Sequence, residues 1–209
     1  MPASRRDENG HSGPRRSGRP SARAPLPESR RIGDDYYGGI IEVAEAGPTC
    51  YIHVIGLGSL NIAAPLRLYL EEAKNRGFIE FIFDMADCQG MDSSFMGMIG
   101  GLSLDMERVP GAFVMLVSLS EYNRHLLRQL GLHDFIDEGE VEIPLGIPWT
   151  RLDPAAATAL DRARLAYEAH GKLVEIKPEN RSRFYDFLKR LGQELLPFLK
   201  NEKEGRKDE

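Results

Sequence analysis

The chain's 209 residues (23.4 kDa) allow one domain with extensions or two small ones, and 42% hydrophobic with 28% charged residues is enough for an ordinary buried core. With 27 basic residues against 32 acidic and a net charge of -5, the composition argues against a nucleic-acid binder that relies on a general positive field. Two cysteines, Cys50 and Cys88, exclude a disulfide framework or a cysteine-rich zinc site and fit a reduced cytoplasmic compartment, and no apolar run approaches the ~20 residues of a membrane span.

Charge is placed unevenly. Residues 1–33 hold eight arginines against Asp7, Glu8 and Glu28, and are rich in Pro, Gly and Ser. They also lack the apolar stretch of a secretory signal. Such a segment cannot bury enough surface to offset ordering entropy, so residues 1–34 are expected to be a disordered basic tail.

From Tyr36 the texture changes. Gly39 to Glu45 and Thr49 to Ile55 read as two β-strands around the turn signal Gly47-Pro48, an antiparallel hairpin. Ile62, Leu66, Leu70 and Ala73 have helical spacing within Asn61 to Arg76, with Pro65 pointing to a start near that residue and Gly77 to the stop. Phe78 to Phe83 reads as a buried parallel strand. Ser93 to Val109 is the next helix, with Gly97, Gly100 and Gly101 expected to allow close approach to the sheet. Ala112 to Leu119 is a third buried strand. Ser120 caps a short helix that Gly131 ends, and a last strand is expected around Val141 and Ile143.

Alternating strands and helices imply an α/β fold with a mixed, mostly parallel sheet over residues 35–145. Residues 146–209 read as a helical extension with a frayed, charged end from Asn201. Asp153-Pro154 predicts a helix start, and Pro178 a second. Trp149 is expected to pack the extension on the core. The stripe Phe184, Phe187, Leu188, Leu191, Leu195 and Phe198 needs a cover, from the sheet domain, a helical hairpin or a second copy that makes a homo-oligomer.

The informative segment is Met91-Asp92-Ser93-Ser94-Phe95, between a buried strand and a helix. Asp92 is placed to accept from free N–H groups as the N-cap, and Ser93 lies on the first turn, exposed at the sheet edge. A phosphate there would carry about -1.5 to -2 charges, which a helix N-terminus favours. The plain alternative is a helix cap with no further role.

The strand, short loop, Met91-Asp92-Ser93-Ser94 and glycine-containing helix resemble the STAS family of anti-sigma factor antagonists. Leu126 to Leu132 with Asp134-Phe135-Ile136 resembles the family's late helix and its exit. The resemblance implies partner switching without enzymatic activity. The unphosphorylated antagonist binds an anti-sigma factor, commonly a GHKL-type serine kinase, which phosphorylates the serine after the Asp, and a serine phosphatase restores it. By that motif Ser93 is the phosphoacceptor, with Asp92 and Ser94 in the supporting loop. Phe95 stands where many family members have Gly, which implies an altered surface for the kinase.

Two other readings are weighed. One is a STAS-like scaffold or accessory subunit of a transport or sensory assembly, without phosphorylation. The other is an esterase-like enzyme with Ser93 as nucleophile. For that one the Gly-x-Ser-x-Gly pattern is absent, and no local motif ties any of His11, His53, His125, His133 and His170 to Ser93. The glycines after Ser93 are not a phosphate-binding loop, His133 and Asp134 lack metal-ligand spacing, and no cofactor or metal is expected.

Overall fold

The computed structural model describes residues 38–205, so the expected basic tail lies outside the described residues. Strand β1 (Ile40–Ala46) pairs antiparallel with β2 (Thr49–Gly58) through a turn where Gly47 adopts φ +59°, a left-handed conformation that a glycine enters without steric cost. Helix α1 (Leu60–Asn75) leads to β3 (Glu80–Met91), α2 (Ser93–Met106), β4 (Phe113–Val117), α3 (Glu121–Leu130) and the short β5 (Asp137–Gly139). A return strand β6 (Thr150–Arg151), not foreseen from sequence, adds to the outer edge of β1. Helices α4 (Ala159–Ile176) and α5 (Asn180–Gly205) follow. The sheet order is β5-β4-β3-β2-β1-β6, with β2 to β5 parallel. The mixed, mostly parallel α/β architecture is therefore the one observed. Among the described residues, no helix is long and apolar enough to cross a membrane.

Strand alternation sorts the core. Ile41, Val43, Cys50, Ile52, Val54, Phe81, Phe83, Met85, Val114 and Leu116 face the helices in one large cluster. The other face carries Ala44, Tyr51, Ile82 and Val117, covered by Ile143, Ile147 and Trp149 from the segment before β6. Trp149 thus does not pack the helical extension on the core. It lies on the far side of the sheet, edge-on to His53 with ring centroids 6.0 Å apart.

Several expected boundaries move. α1 starts at Leu60, not near Pro65; its first N–H is held by Asp92, and the hydrogen bond Pro65 omits is the one to Asn61, an exposed residue of the first turn. β3 runs on to Met91 instead of ending at Phe83, because the long β2 follows it through two register shifts. The last parallel strand is Asp137–Gly139, since Val141 is exposed and Ile143 packs on the far face outside the ladder. Asp153-Pro154 opens only a 3-10 turn, and α4 begins after a capping box between Thr158 and Asp161. α5 continues as helix past Asn201 to Gly205.

Packing of the extension also differs from expectation. Phe184 and Leu195 are buried, whereas Phe187 and Phe198 are exposed. Within the chain, Phe184 joins the main core cluster with Leu165, Ala169 and Leu173 of α4, and Leu188 packs against it. Gly97 and Gly101 of α2 serve the contact with α4, not approach to the sheet, and a Cβ on Gly100 would run into the Leu132 side chain. A Cβ on Gly97 would lie 2.5 Å from the carbonyl oxygen of Ala169, and one on Gly101 would lie 3.3 Å from the Lys172 side chain. α2 is thus enclosed on two sides, by the sheet and by α4, with ten of its 14 residues buried.

Candidate functional site

The site lies where β3 ends and α2 begins. The carboxylate of Asp92 accepts from the N–H of Phe95 at 2.8 Å through Oδ1, capping α2 as the sequence predicts. Oδ2 accepts from the N–H of Leu60, also at 2.8 Å, so the same carboxylate caps α1. The N–H of Asp92 donates to the carbonyl of Gly58 at 2.8 Å, closing the junction between the ends of β2 and β3. One side chain thus fixes two helix N-termini and the serine that follows it.

Ser93 is half-buried, not fully exposed as expected, and Ser94 is buried. The cover over Ser93 is His170 of α4. Ser93 Oγ and His170 Nε2 are 2.9 Å apart, across 77 residues of sequence. His170 Nδ1 is 2.6 Å from the carbonyl oxygen of Ala166. A carbonyl only accepts, so Nδ1 carries the proton and Nε2 offers its lone pair to the Ser93 hydroxyl. The ring is 6% exposed and lies between Phe184 and Phe187, each with its centroid 4.6 Å away. Burial lowers the pKa of His170, against the opposing effects of the Ala166 carbonyl and the Asp92 charge, which favours the neutral imidazole that this geometry requires.

Phe95 does not alter an outward surface. Its side chain is completely buried, and a Cβ on Gly58 of β2 would lie 2.8 Å from its ring. The bulk that the resemblance implies at the docking surface is turned into the core. Nearby, Asn123 of α3 is fully buried and donates from Nδ2 to the Cys88 carbonyl at 3.0 Å, tying α3 to the end of β3.

Sequence reasoning therefore found Asp92, Ser93 and Ser94 at one junction and missed His170. The signal for it is indirect. His170 directly follows Ala169 within the buried stripe Leu165, Ala166, Ala169 and Leu173, so its place on the inner face of α4 is readable. Its meeting with Ser93 is not.

Of solved structures, the chain is similar to the anti-sigma factor antagonist SpoIIAA in its unphosphorylated form, at 19% identity over 49% of this chain and 89% of that one, with a TM-score of 0.42. It is likewise similar to the phosphorylated form of SpoIIAA, the Bacillus cell fate determinant, at 20% identity over 48% and 91%, with a TM-score of 0.41. The protein TM1081 is similar at 16% identity over 47% and 79%, with a TM-score of 0.43. The search of curated proteins found no match. The family model for the STAS domain matches residues 41–145, half of the chain and the stretch from β1 through the Asp92–Ser93 junction to beyond β5, so the chain belongs to the STAS domain family.

Proposed function

We propose that the protein is an anti-sigma factor antagonist-like regulator that binds an anti-sigma factor with serine kinase activity and is switched by phosphorylation of Ser93. The observation that supports this most directly is the Asp92 clasp. It holds Ser93 on the first turn of a helix whose N–H groups and dipole accommodate a phosphate without unfolding. In the transfer, Ser93 Oγ forms a bond to the γ-phosphorus of kinase-bound ATP, ADP leaves, and the hydroxyl proton passes to a base of the kinase. A serine phosphatase reverses the modification by hydrolysis.

The test is affinity capture from the native cell, followed by mass spectrometry and calorimetric titration of the captured partner. Phosphate on Ser93 is expected. Ser93→Ala should bind persistently, and Ser93→Asp about 5- to 150-fold more weakly, the usual range of coupling between a charge switch and a binding site. Modification elsewhere, or equal binding by all three proteins, refutes the reading. A scaffold without phosphorylation then remains.

The hydrogen bond between Ser93 and His170 favours one further reading, an esterase-like nucleophile. The imidazole is anchored by a helix carbonyl, not by a carboxylate. Ester hydrolysis lost in Ser93→Ala would establish that reading against the regulatory one.

A further inference from the structure

We propose that His170 is an internal phosphoserine receptor: once Ser93 carries phosphate, the imidazole takes up a proton and clamps the phosphate from α4. The inference rests on Ser93 being the phosphoacceptor and adds what holds the modified state. In the unmodified chain the contact is a neutral hydrogen bond, with the Ser93 hydroxyl donating to Nε2. Phosphorylation removes that donor and places acceptor oxygens opposite a nitrogen lone pair. Two acceptors repel, so the phosphate turns away about the Ser93 side chain, α4 moves away, or Nε2 gains a proton and becomes a donor.

Burial disfavours a charged imidazole in the unmodified chain, and the phosphate is what offsets that cost. Nδ1 is already committed to the Ala166 carbonyl, so protonation at Nε2 needs no ring flip. The added group brings about two negative charges beside a residue that already senses Asp92, the N-cap of α2. From α5 the imidazole is flanked by the rings of Phe184 and Phe187, each with its centroid 4.6 Å away. Movement of α4 is opposed by its packing. Leu165, Ala169 and Leu173 lie in the main core, and Gly97 brings the two helix backbones together. The turn into α5 is pinned as well, because Asn180 Nδ2 donates to the Leu130 carbonyl at 3.0 Å and the Leu173 carbonyl at 2.9 Å. The half-burial of Ser93 leaves an open side for the remaining phosphate oxygens. Modification would therefore fasten the helical extension to the STAS domain instead of releasing it, and would shield the phosphate from hydrolysis.

The experiment uses the full chain with phosphoserine installed at position 93 during translation through an expanded genetic code, so no native kinase is needed. Long-range 1H–15N spectra of histidine-labelled protein give the pKa of His170 with and without the phosphate. A rise of about 1–3 pH units is expected, the usual effect of an opposite charge in contact. The 31P titration of the phosphoserine should fall correspondingly, and amide exchange in α4 should slow. A manganese-dependent protein phosphatase should remove the phosphate about tenfold faster from His170→Ala than from the native sequence, as loss of a charge-assisted hydrogen bond predicts. His170→Gln, which keeps a neutral donor, should restore part of the protection but none of its pH dependence. An unchanged or lower His170 pKa overturns the proposal, as does faster α4 exchange, which would mean that phosphate expels the helix. Because the phosphate is installed directly, these results judge the clamp alone. Whether the cell phosphorylates Ser93 is judged by mass spectrometry of the native protein.

Discussion

Replacing Asp92 with alanine tests the clasp on which the site is built. The carboxylate satisfies two backbone donors that belong to different helices, Leu60 N–H of α1 and Phe95 N–H of α2. A single N-cap replaced by alanine costs typically about 1 kcal/mol. The two losses are independent hydrogen bonds to separate helices, so Asp92→Ala should destabilise by about 2 kcal/mol, or about 4–8 °C in Tm for a chain of this size. Asp92→Asn keeps one amide oxygen and turns an NH2 group toward the other donor. It should therefore lose at least one cap, about 1 kcal/mol, and fall between the wild type and the alanine variant. Equilibrium urea unfolding followed by circular dichroism gives both values, and an unchanged m-value shows that the same surface unfolds. If Asp92→Ala lies within about 0.5 kcal/mol of wild type, the ordinary range of surface substitutions, the double cap is not a stabilising element. If Asp92→Asn equals wild type, a single acceptor suffices and the link between the two helices is refuted.

Truncating Phe95 to alanine should cost about 3–5 kcal/mol, measured by the same unfolding assay, because the ring is fully buried against Gly58. Gly97→Ala should destabilise even though helix propensity alone favours alanine by about 1 kcal/mol, since its Cβ would meet the Ala169 carbonyl oxygen. Gly171→Ala on α4, where a Cβ meets nothing within 4 Å, should stabilise by about 0.5–1 kcal/mol and serves as the control in the same thermal melts. Because the pKa of His170 is lowered by burial, the unfolded chain binds its proton more readily than the folded one. Its contribution is therefore fully present above the unfolded value of about 6.5 and is lost as pH falls below it, at no more than about 1.4 kcal/mol per pH unit. Unfolding titrations between neutral and mildly acid pH should show that slope in the native protein and a shallower one in His170→Gln.

The sheet, its mostly parallel order and the Asp92 cap were legible because each rests on local signals. Apolar runs of strand length separate helices of amphipathic spacing, and an Asp stands directly before a helix. What was not legible depends on partners distant in the chain. Pro65 suggests a late helix start until Asp92, 32 residues on in sequence from Leu60, supplies the acceptor that lets α1 begin earlier. Phe95 suggests an altered docking surface until Gly58 of β2 provides the room for its ring. Gly97 and Gly101 of α2 announce a close approach without naming its partner, and only the position of α4 shows that the approach is between two helices. These three cases have one physical form. A residue that breaks a local rule leaves a vacancy or an excess of volume, and a remote residue fits it. Ser93 and His170 extend that form to chemistry. A serine on the first turn of a capped helix is an exposed hydroxyl by local rules, and the histidine that accepts its hydrogen bond arrives on a helix beyond the matched domain. Where half of a chain lies outside its recognisable domain, the unmatched half is thus the place to look for residues that complete the site.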